Sequence, residues 1–180
     1  MDIVGNRTLY SVFRSHTLDQ PNRRWLTFES PDGKVSRWTF AEFLETVHRA
    51  VNLLRNFGIG TGDVVSLHLA NHPAYPQVIL AASYIGAIVL PTIPSSSAEE
   101  LRYFLEHSEA KLVIAEVKYL QKVEAASKNR RCSTLLVQGE QDSTANHHCY
   151  ETELARQSSV VSPGDGSADK VVQLLYTSGK

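Results

Sequence analysis

The stretch DVVSLHLANHPAYPQVILAASYIGAIVLP, residues 63–91, alternates short and long apolar runs in a pattern that decides the fold. Residues 64–69 are predicted to form a buried strand, residues 74–84 an apolar helix, and residues 87–90 a second strand that Pro91 closes. A strand, a helix and a strand in this order form a βαβ unit, which joins parallel strands. We therefore expect an α/β domain built around this stretch.

The same alternation continues toward the C-terminus. Ser97 and Glu100 form a capping-box pattern, which predicts the start of a helix that runs to about His107. The predicted elements that follow are a strand at residues 112–115, a helix at residues 117–126 and a strand at residues 134–137. Repeated strands and helices imply a parallel sheet covered by helices, so we predict part of a doubly wound sheet.

The last part of the chain is polar and then apolar. Residues 138–167 are rich in Ser, Gly and Asp, which predicts a surface loop with a short helix near residues 150–156. Residues 171–176 predict another buried strand, which runs directly into Thr-Ser-Gly-Lys at residues 177–180. Small hydroxyl residues and Gly after a strand of an α/β sheet are typical of phosphate sites, although they also form ordinary turns.

A hairpin and a helix precede the βαβ unit. Residues 25–30 and 35–39 are β-rich runs, and the turn between them contains Pro, which fixes φ, and Gly, which permits positive φ. Apolar residues then recur on one face of a long helix, whose start is marked by a capping box of Thr39 and Glu42. We expect this small hairpin and helix to form the N-terminal end of the domain.

Composition and charge exclude several classes of protein. The 180 residues carry a formal net charge of -1, so no overall basic field attracts nucleic acid or anionic lipid. Cys132 and Cys149 are too few for a disulfide framework, and they indicate a reducing compartment, for which we expect the cytoplasm. The N-terminus lacks the apolar segment of a signal peptide, and the longest apolar run, residues 78–90, is too short for a transmembrane segment.

Three passages carry a resemblance to a known family. They are residues 53–65 (LLRNFGIGTGDVV), residues 84–91 (YIGAIVLP) and residues 175–179 (LYTSG). In this order and spacing they resemble the acyl-adenylate-forming superfamily of AMP-dependent synthetases and ligases, and they cover nearly the whole chain. Within that superfamily, residues 1–5 and 65–71 look most like crotonobetaine/carnitine CoA ligases.

The resemblance implies an ATP-dependent acyl-CoA ligase, an enzyme of fatty acid or carnitine metabolism. In such enzymes a carboxylate attacks the α-phosphate of ATP, which gives acyl-AMP and pyrophosphate, and the CoA thiol then displaces AMP. The implied partners are a carboxylic acid, ATP with Mg²⁺, and CoA. By the superfamily pattern, Thr177, Ser178 and Gly179 begin the loop that binds the phosphates. No catalytic or metal-binding residue is predicted in this chain.

The chain departs from the superfamily pattern at Lys180, where Thr or Ser usually follows the first Gly of the loop. In the superfamily the adenine pocket, the metal-binding acidic residue, the hinge and the C-terminal domain come from later sequence. We therefore expect residues 1–180 to be a partial N-terminal AMP-binding domain that ends inside the phosphate loop, is inactive alone and binds no cofactor tightly. Exposed apolar faces of such a fragment favour self-association.

Alternative interpretations remain open. One is a noncatalytic truncated product that acts as an interaction or binding module, and another is a self-sufficient nucleotide-binding module with a complete phosphate loop. Gly58-x-Gly60-x-Gly62 follows a helix and precedes a strand, so it favours a helix stop and turn over a dinucleotide loop. Gly164-Asp165-Gly166 with Lys170 favours an exposed linker over a nucleotide loop.

Histidines offer a further set of candidates. His147-His148-Cys149 with Cys132 contains zinc-ligand residue types, but neighbouring histidines in a polar loop are more often solvated. His68 in a predicted strand, and His72 in the next turn near the predicted active-site cleft, favour structural roles with satisfied hydrogen bonds.

Overall fold

A hairpin, helices and a parallel sheet make up the described part of the chain, which in this computed structural model is residues 5–128, 132–138 and 147–177. The helices are α1 (Leu9–Asp19), α2 (Phe40–Asn56), α3 (Ala74–Ile85), α4 (Ala98–His107), α5 (Leu120–Ser127) and α6 (Tyr150–Ala155). The strands are β1 (Arg24–Glu29), β2 (Val35–Thr39), β3 (Val64–His68), β4 (Ile88–Pro91), β5 (Leu112–Glu116), β6 (Ser133–Val137) and β7 (His148–Cys149). A 3₁₀ turn, Val117–Tyr119, precedes α5. In these ranges no helix has the length and apolar character needed to cross a lipid bilayer.

Strands β1 and β2 form the antiparallel hairpin that the sequence predicts. Phe13 of α1 packs edge-on against Trp25 of β1, with ring centroids 4.9 Å apart. The Trp25 ring in turn lies 4.3 Å from the ring of Phe43 in α2. Aromatic packing therefore fastens both α1 and the hairpin to the helix that follows them.

The five-stranded sheet has the order β4-β3-β5-β6-β7, and all of its strands are parallel. In β3, Val65 lies opposite Val89 of β4 on one side and Leu112 of β5 on the other. Both β3 and β5 are buried along their whole length, as expected for parallel strands covered on both faces. The predicted βαβ unit is confirmed as β3, α3 and β4.

Two hydrophobic cores lie on opposite faces of this sheet. Val65 and Leu67 of β3 belong to the larger core, which they share with α1, α2 and α3. Val64 points to the other face, where Leu101 and Leu105 of α4 fill a smaller core. Helices on both faces of a parallel sheet confirm the predicted doubly wound α/β architecture.

The predicted helix signals are present at the start of α2 and α4. Glu42 Oε2 accepts the Thr39 N–H at 2.8 Å, and Thr39 Oγ1 accepts the Glu42 N–H at 3.2 Å. Ser97 and Glu100 form the same reciprocal pair at α4. Helix α2 ends just before Gly58, whose φ of 74° is costly for residues with a Cβ atom. The helix stop and turn predicted for this glycine-rich passage is therefore confirmed.

The prediction of a buried strand at residues 171–176 is wrong. Within the described residues this segment pairs with the sheet at a single bridge, where two N–H···O bonds of 2.9 Å join it to Val89 of β4. Leu174 packs on the smaller core, whereas Val171 and Leu175 are 55% and 68% exposed. A buried parallel strand has a neighbouring strand on both edges and cover on both faces. The described residues supply one neighbouring strand, β4, and cover on one face.

The described part of the polar segment after β6, residues 147–167, contains more regular structure than the predicted surface loop. It contains the predicted short helix, α6, and also a strand that the sequence did not predict, β7, which pairs with β6. Tyr150 at the start of α6 is buried in the larger core, and its hydroxyl donates to Gln77 Oε1 at 3.0 Å. This contact anchors the segment to α3.

Gly164-Asp165-Gly166 lies outside the helices and strands with Asp165 exposed, as the linker prediction expects, but it is not a free linker. The Gly166 N–H donates to Tyr84 O at 3.0 Å, so the segment lies directly on the end of α3. A Cβ atom on Gly164 would lie 2.2 Å from Tyr84 O, and one on Gly166 would lie 1.9 Å from Ser83 O. These glycines permit a close backbone approach rather than flexibility.

Candidate functional site

The carboxyl ends of β3, β4 and β5 lie side by side, because these strands are parallel neighbours. An open cleft of about 970 Å³ covers this edge of the sheet. Its walls come from β1 of the hairpin, residues 69–73 after β3, residues 91–94 after β4, and residues 175–176. Doubly wound sheets bind their ligands outside the carboxyl ends of the strands, so this cleft is the candidate functional site.

Side-chain hydrogen bonds hold the strand ends together beneath the cleft. The Thr92 hydroxyl, just after β4, donates to Leu67 O of β3 at 3.2 Å and lies 2.9 Å from His68 Nδ1. Glu116 at the end of β5 accepts the Ala70 N–H at 2.6 Å. Sequence reasoning missed Thr92 and Glu116, and the available signal was a polar residue at the end of an apolar strand.

Positive charge borders the same edge. The Lys118 ammonium pairs with the Glu116 carboxylate at 2.5 Å, and this hydrogen bond raises the pKa of Lys118. Lys118 and Lys122 lie over the Tyr119 ring, 5.0 and 5.2 Å from its centroid. The Lys122 ammonium also donates to Pro94 O, in the wall of the cleft, at 2.7 Å. Glu116 compensates the charge of Lys118, so Lys122 is the cation that favours an anionic ligand near this wall.

His68 is fully buried under the cleft. The Thr92 hydroxyl has one proton and donates it to Leu67 O, so we assign the imidazole hydrogen to Nδ1. Burial, together with the Lys122 cation, lowers the pKa of His68 to about 4. Nε2 has no hydrogen-bond partner among the described residues, and the Tyr119 ring packs edge-on at 5.1 Å. The sequence predicts a structural histidine with satisfied hydrogen bonds. The Nδ1 atom of His68 has a hydrogen-bond partner, whereas Nε2 has none among the described residues.

His72 lies between the cleft and a second cavity of about 830 Å³ under the hairpin. Its Nδ1 accepts the Ala74 N–H at 3.2 Å at the start of α3, and its ring packs edge-on against Phe28 at 5.4 Å. Burial lowers the pKa of His72, which favours the neutral imidazole that this contact requires. The prediction of a structural histidine close to the cleft agrees with these contacts.

Thr177 lines a smaller cavity of about 510 Å³ next to the cleft, together with the first turn of α4. Tyr176 holds the chain at this place, since its hydroxyl lies 2.7 Å from His107 Nδ1 and its ring lies 4.7 Å from that of Phe104. Burial raises the pKa of Tyr176, so its hydroxyl stays protonated. The structure thus brings Thr177 to the carboxyl edge of the sheet.

Among the described residues, Thr177 offers one side-chain group that is suited to contact a phosphate. Its exposed hydroxyl can donate to a phosphate oxygen, but Glu99 and Glu100 line the same cavity and oppose an anion there. Ser178 and Gly179, the other predicted phosphate-loop residues, lie outside the described residues. In residues 5–128, 132–138 and 147–177, no group of His, Cys, Asp or Glu side chains is placed to hold Mg²⁺ or another metal.

His147 and His148, which precede α6, contact two different side chains and, among the described residues, do not share a metal site. His147 Nε2 lies 3.5 Å from Glu124 Oε1, and the His148 ring packs edge-on against Phe57 at 5.3 Å. The prediction that these histidines are solvated is wrong for His147, whose side chain is 12% exposed.

Comparison with known proteins adds a sequence relationship. Residues 13–179 match the profile of the protein family described as AMP-binding enzyme. The crotonobetaine/carnitine–CoA ligase of Salmonella enteritidis PT4 is 29% identical over 185 residues, a match that covers 99% of this chain and 35% of that protein. The chain thus spans about a third of the length of the curated relatives it matches.

Solved structures share the fold. The acyl-CoA synthetase of Brucella canis has a TM-score of 0.83 at 24% identity, and the match covers 98% of this chain and 32% of that one. The coronafacic acid ligase of Pectobacterium brasiliense has a TM-score of 0.83 at 21% identity, covering 94% and 33%. At such identities the likeness establishes the fold alone.

Proposed function

The chain belongs to the AMP-binding enzyme family, and from this premise we propose that it is the N-terminal part of the ATP-binding domain of an acyl-CoA ligase. In the proposed reaction a carboxylate oxygen attacks the α-phosphorus of ATP, and the bond to the β-phosphate breaks to release pyrophosphate. The CoA sulfur then attacks the acyl carbonyl, AMP leaves, and the thiol proton passes to solvent. The products are a thioester and AMP.

The observation that supports this proposal most is the placement of Thr177. The family match extends to residue 179, and the preceding residues bring Thr177 to the carboxyl edge of a doubly wound sheet, where nucleotides bind. We propose that Thr177, Ser178 and Gly179 begin the phosphate loop. The hydroxyls donate to phosphate oxygens, and Gly lets the backbone N–H groups approach them.

Other groups in the cleft prepare the surroundings of that loop. Lys122 adds positive potential at the cleft wall, and the polar bonds of Thr92 and Glu116 hold the strand ends in fixed relation. Nucleotidyl transfer depends mostly on positioning and charge neutralisation, and this edge contributes hydrogen-bonded strand ends and the Lys122 cation. Mg²⁺, when bound, would neutralise the phosphates, and the described residues offer no ligand group for it.

The substrate that we propose is a small carboxylic acid, used in the cytoplasm. Relatives named for crotonobetaine and carnitine make these two acids the first to assay, within carnitine or fatty acid metabolism. Because the chain spans about a third of those relatives, we further propose that these 180 residues alone bind ATP and CoA weakly and do not form acyl-AMP.

A noncatalytic interaction module is the second candidate. It is favoured by one observation, a set of large exposed apolar side chains near the β4 edge and the start of α4: Ile93, Tyr103, Val171 and Leu175. Such side chains suit contact with another protein surface, including a second copy of this chain.

A titration of the ¹⁵N-labelled chain with Mg-ATP tests the first proposal. We expect amide shifts at residues 93–97 and 171–177, with a dissociation constant on the order of millimolar. Thr177→Val should reduce those shifts, whereas Thr152→Val on α6 should not. Saturable shifts that avoid residue 177 would refute the phosphate-loop assignment.

An activity assay on the same protein tests the second part of the proposal. Pyrophosphate release is measured with crotonobetaine, carnitine and a fatty acid, with and without CoA. We expect no carboxylate-dependent release from this chain. Turnover that survives removal of contaminants, or micromolar ATP affinity, would contradict the view that the chain holds only part of the site.

A further inference from the structure

Residues 156–163, here called the strap, cross the polar face of α2 and are held by their backbone. Side chains of α2 donate to strap carbonyls or to the carbonyl just before the strap. The bonds are Arg49 Nη1 to Ala155 O (3.3 Å) and Gln157 O (2.8 Å), Asn52 Nδ2 to Ser158 O (2.8 Å) and Val160 O (2.9 Å), and Arg55 to Ser162 O (3.1 Å) and Pro163 O (2.7 Å).

These donors form a ladder along one face of the helix. Arg49, Asn52 and Arg55 are spaced three residues apart, so they lie on neighbouring turns of α2. Each of them binds carbonyls further along the strap than the one before it. His48 on the same face lies 3.1 Å from Ser159 O through Nδ1. Two strap side chains add to the ladder, since Gln157 Oε1 accepts from Asn56 Nδ2 at 2.8 Å and Val161 packs against the larger core, whereas Val160 is 81% exposed. Most of the hydrogen bonds from α2 nevertheless go to the strap backbone.

The strap leads into a close backbone contact at the end of α3. The Gly166 N–H donates to Tyr84 O at 3.0 Å, and there is no room for a Cβ atom at Gly164 or Gly166. The Lys170 ammonium donates to Asp165 O at 2.7 Å and closes this turn. The chain thus leaves the strap in a single defined direction.

That direction brings residues 171–177 to the sheet. Val89 of β4 exchanges two backbone bonds of 2.9 Å with Val172 and Leu174. Tyr176 then packs on Phe104 of α4. The segment has anchors of its own, since Leu174 packs on the smaller core and the Tyr176 hydroxyl lies 2.7 Å from His107 Nδ1. Among the described residues its backbone joins the sheet only at Val89, so the path of the strap before it also bears on where the segment lies.

We propose that Arg49, Asn52 and Arg55 are positioning residues for Thr177. By holding the strap on α2 they set where residues 171–177 join β4, and so they place the start of the phosphate loop. The importance of Thr177 rests on the proposed function, but the mechanical coupling from α2 to residues 172–174 does not.

Amide hydrogen exchange of the whole chain tests the coupling without any nucleotide. In Arg55→Gln and in Asn52→Ala, we expect exchange of the Val89 and Leu174 amides, which donate the two hydrogen bonds of the bridge, to accelerate about tenfold or more, because the strap loses two hydrogen bonds in each case. Exchange in β5 should stay at the wild-type rate. Arg37→Gln on β2, an exposed arginine outside the ladder, is the matched control and should change neither region.

Conservative replacement separates positioning from general stability. Arg55→Lys keeps a cationic donor and should restore part of the protection of the Val89 and Leu174 amides. Equal acceleration in β5 and at these two amides would overturn the proposal, since it would reveal only a global loss of stability. Unchanged exchange of the two amides in both Arg55→Gln and Asn52→Ala would overturn it as well.

Discussion

His68 and Thr92 join β3 to the turn after β4, with His68 Nδ1 2.9 Å from the threonine hydroxyl oxygen. The contact lies directly below the cleft and uses a neutral imidazole. Because the bond is buried and Nε2 has no partner among the described residues, a second proton on the ring has nowhere favourable to point. Protonation of His68 and the integrity of this edge are therefore linked.

This linkage predicts acid sensitivity. The pKa of His68 falls from 6.5 in a free histidine to about 4 in the fold, so the unfolded chain binds the additional proton first as pH decreases. The contribution of His68 to the free energy of unfolding should be constant above pH 6.5 and should fall by about 3 kcal/mol between pH 6.5 and pH 4. Urea unfolding across this range measures the slope.

The test of this assignment is a variant of His68 itself. His68→Gln removes this titrating group and should reduce the slope between pH 6.5 and pH 4, even if the variant is less stable throughout. Burial also lowers the pKa of His48 and of His72, so a smaller slope of the same sign should remain. A slope in His68→Gln equal to that of the wild type would assign the acid sensitivity to other groups.

Tyr150→Phe is expected to destabilise the fold by about 1–3 kcal/mol. The substitution removes the hydroxyl that donates to Gln77 Oε1 and leaves that buried oxygen without its donor. Thermal or urea unfolding measures the loss. Tyr103→Phe, which removes a hydroxyl from a side chain that is 55% exposed, should change stability by less than about 0.5 kcal/mol. Equal effects of the two variants would contradict the assigned role of the buried bond.

The buried position of Tyr150 shows which parts of this structure could be read from the sequence. Local signals worked well: the capping box at Thr39 and the alternation in residues 63–91 depend on neighbours in the chain, and both predicted the observed elements. Tyr150 lies in a polar stretch, and its partner, Gln77, is distant in sequence. No local pattern encodes that contact.

The predictions for the strap and for residues 171–176 missed the observed contacts for related reasons. The α2 side chains recognise mostly backbone carbonyls, which every residue carries, so the strap sequence gives little indication of its binding site. Residues 171–176 have the apolar composition of a buried strand, but burial depends on which elements lie beside them. The resemblance to the superfamily pattern identifies Thr177 as a candidate, while its place near α4 required the structure.

Gly166→Ala is expected to be the most damaging single methyl addition near the strap. The new Cβ atom would lie 1.9 Å from Ser83 O, and backbone atoms cannot move aside cheaply. We expect a loss of about 1–3 kcal/mol in the free energy of unfolding. Gly60→Ala is the matched control, because its nearest neighbour would be Asp63 Oδ2 at 3.8 Å. Similar stability of the two variants would mean that the contact with α3 is not maintained in solution.

Self-association through the outer side of residues 171–175 is the last prediction. Val171 and Leu175 expose apolar surface beside a segment that, among the described residues, pairs with the sheet at only one bridge. Such an edge can join another chain, so sedimentation velocity should detect dimers or larger species that increase with concentration. Replacing both residues with Lys should shift the population to monomer, because the ammonium groups repel each other across the contact. Val160→Lys on the strap makes the same chemical change at a side chain that is 81% exposed and should leave the association unaltered. A wild-type chain that stays monomeric over its whole soluble range would remove the support for an interaction edge at this place.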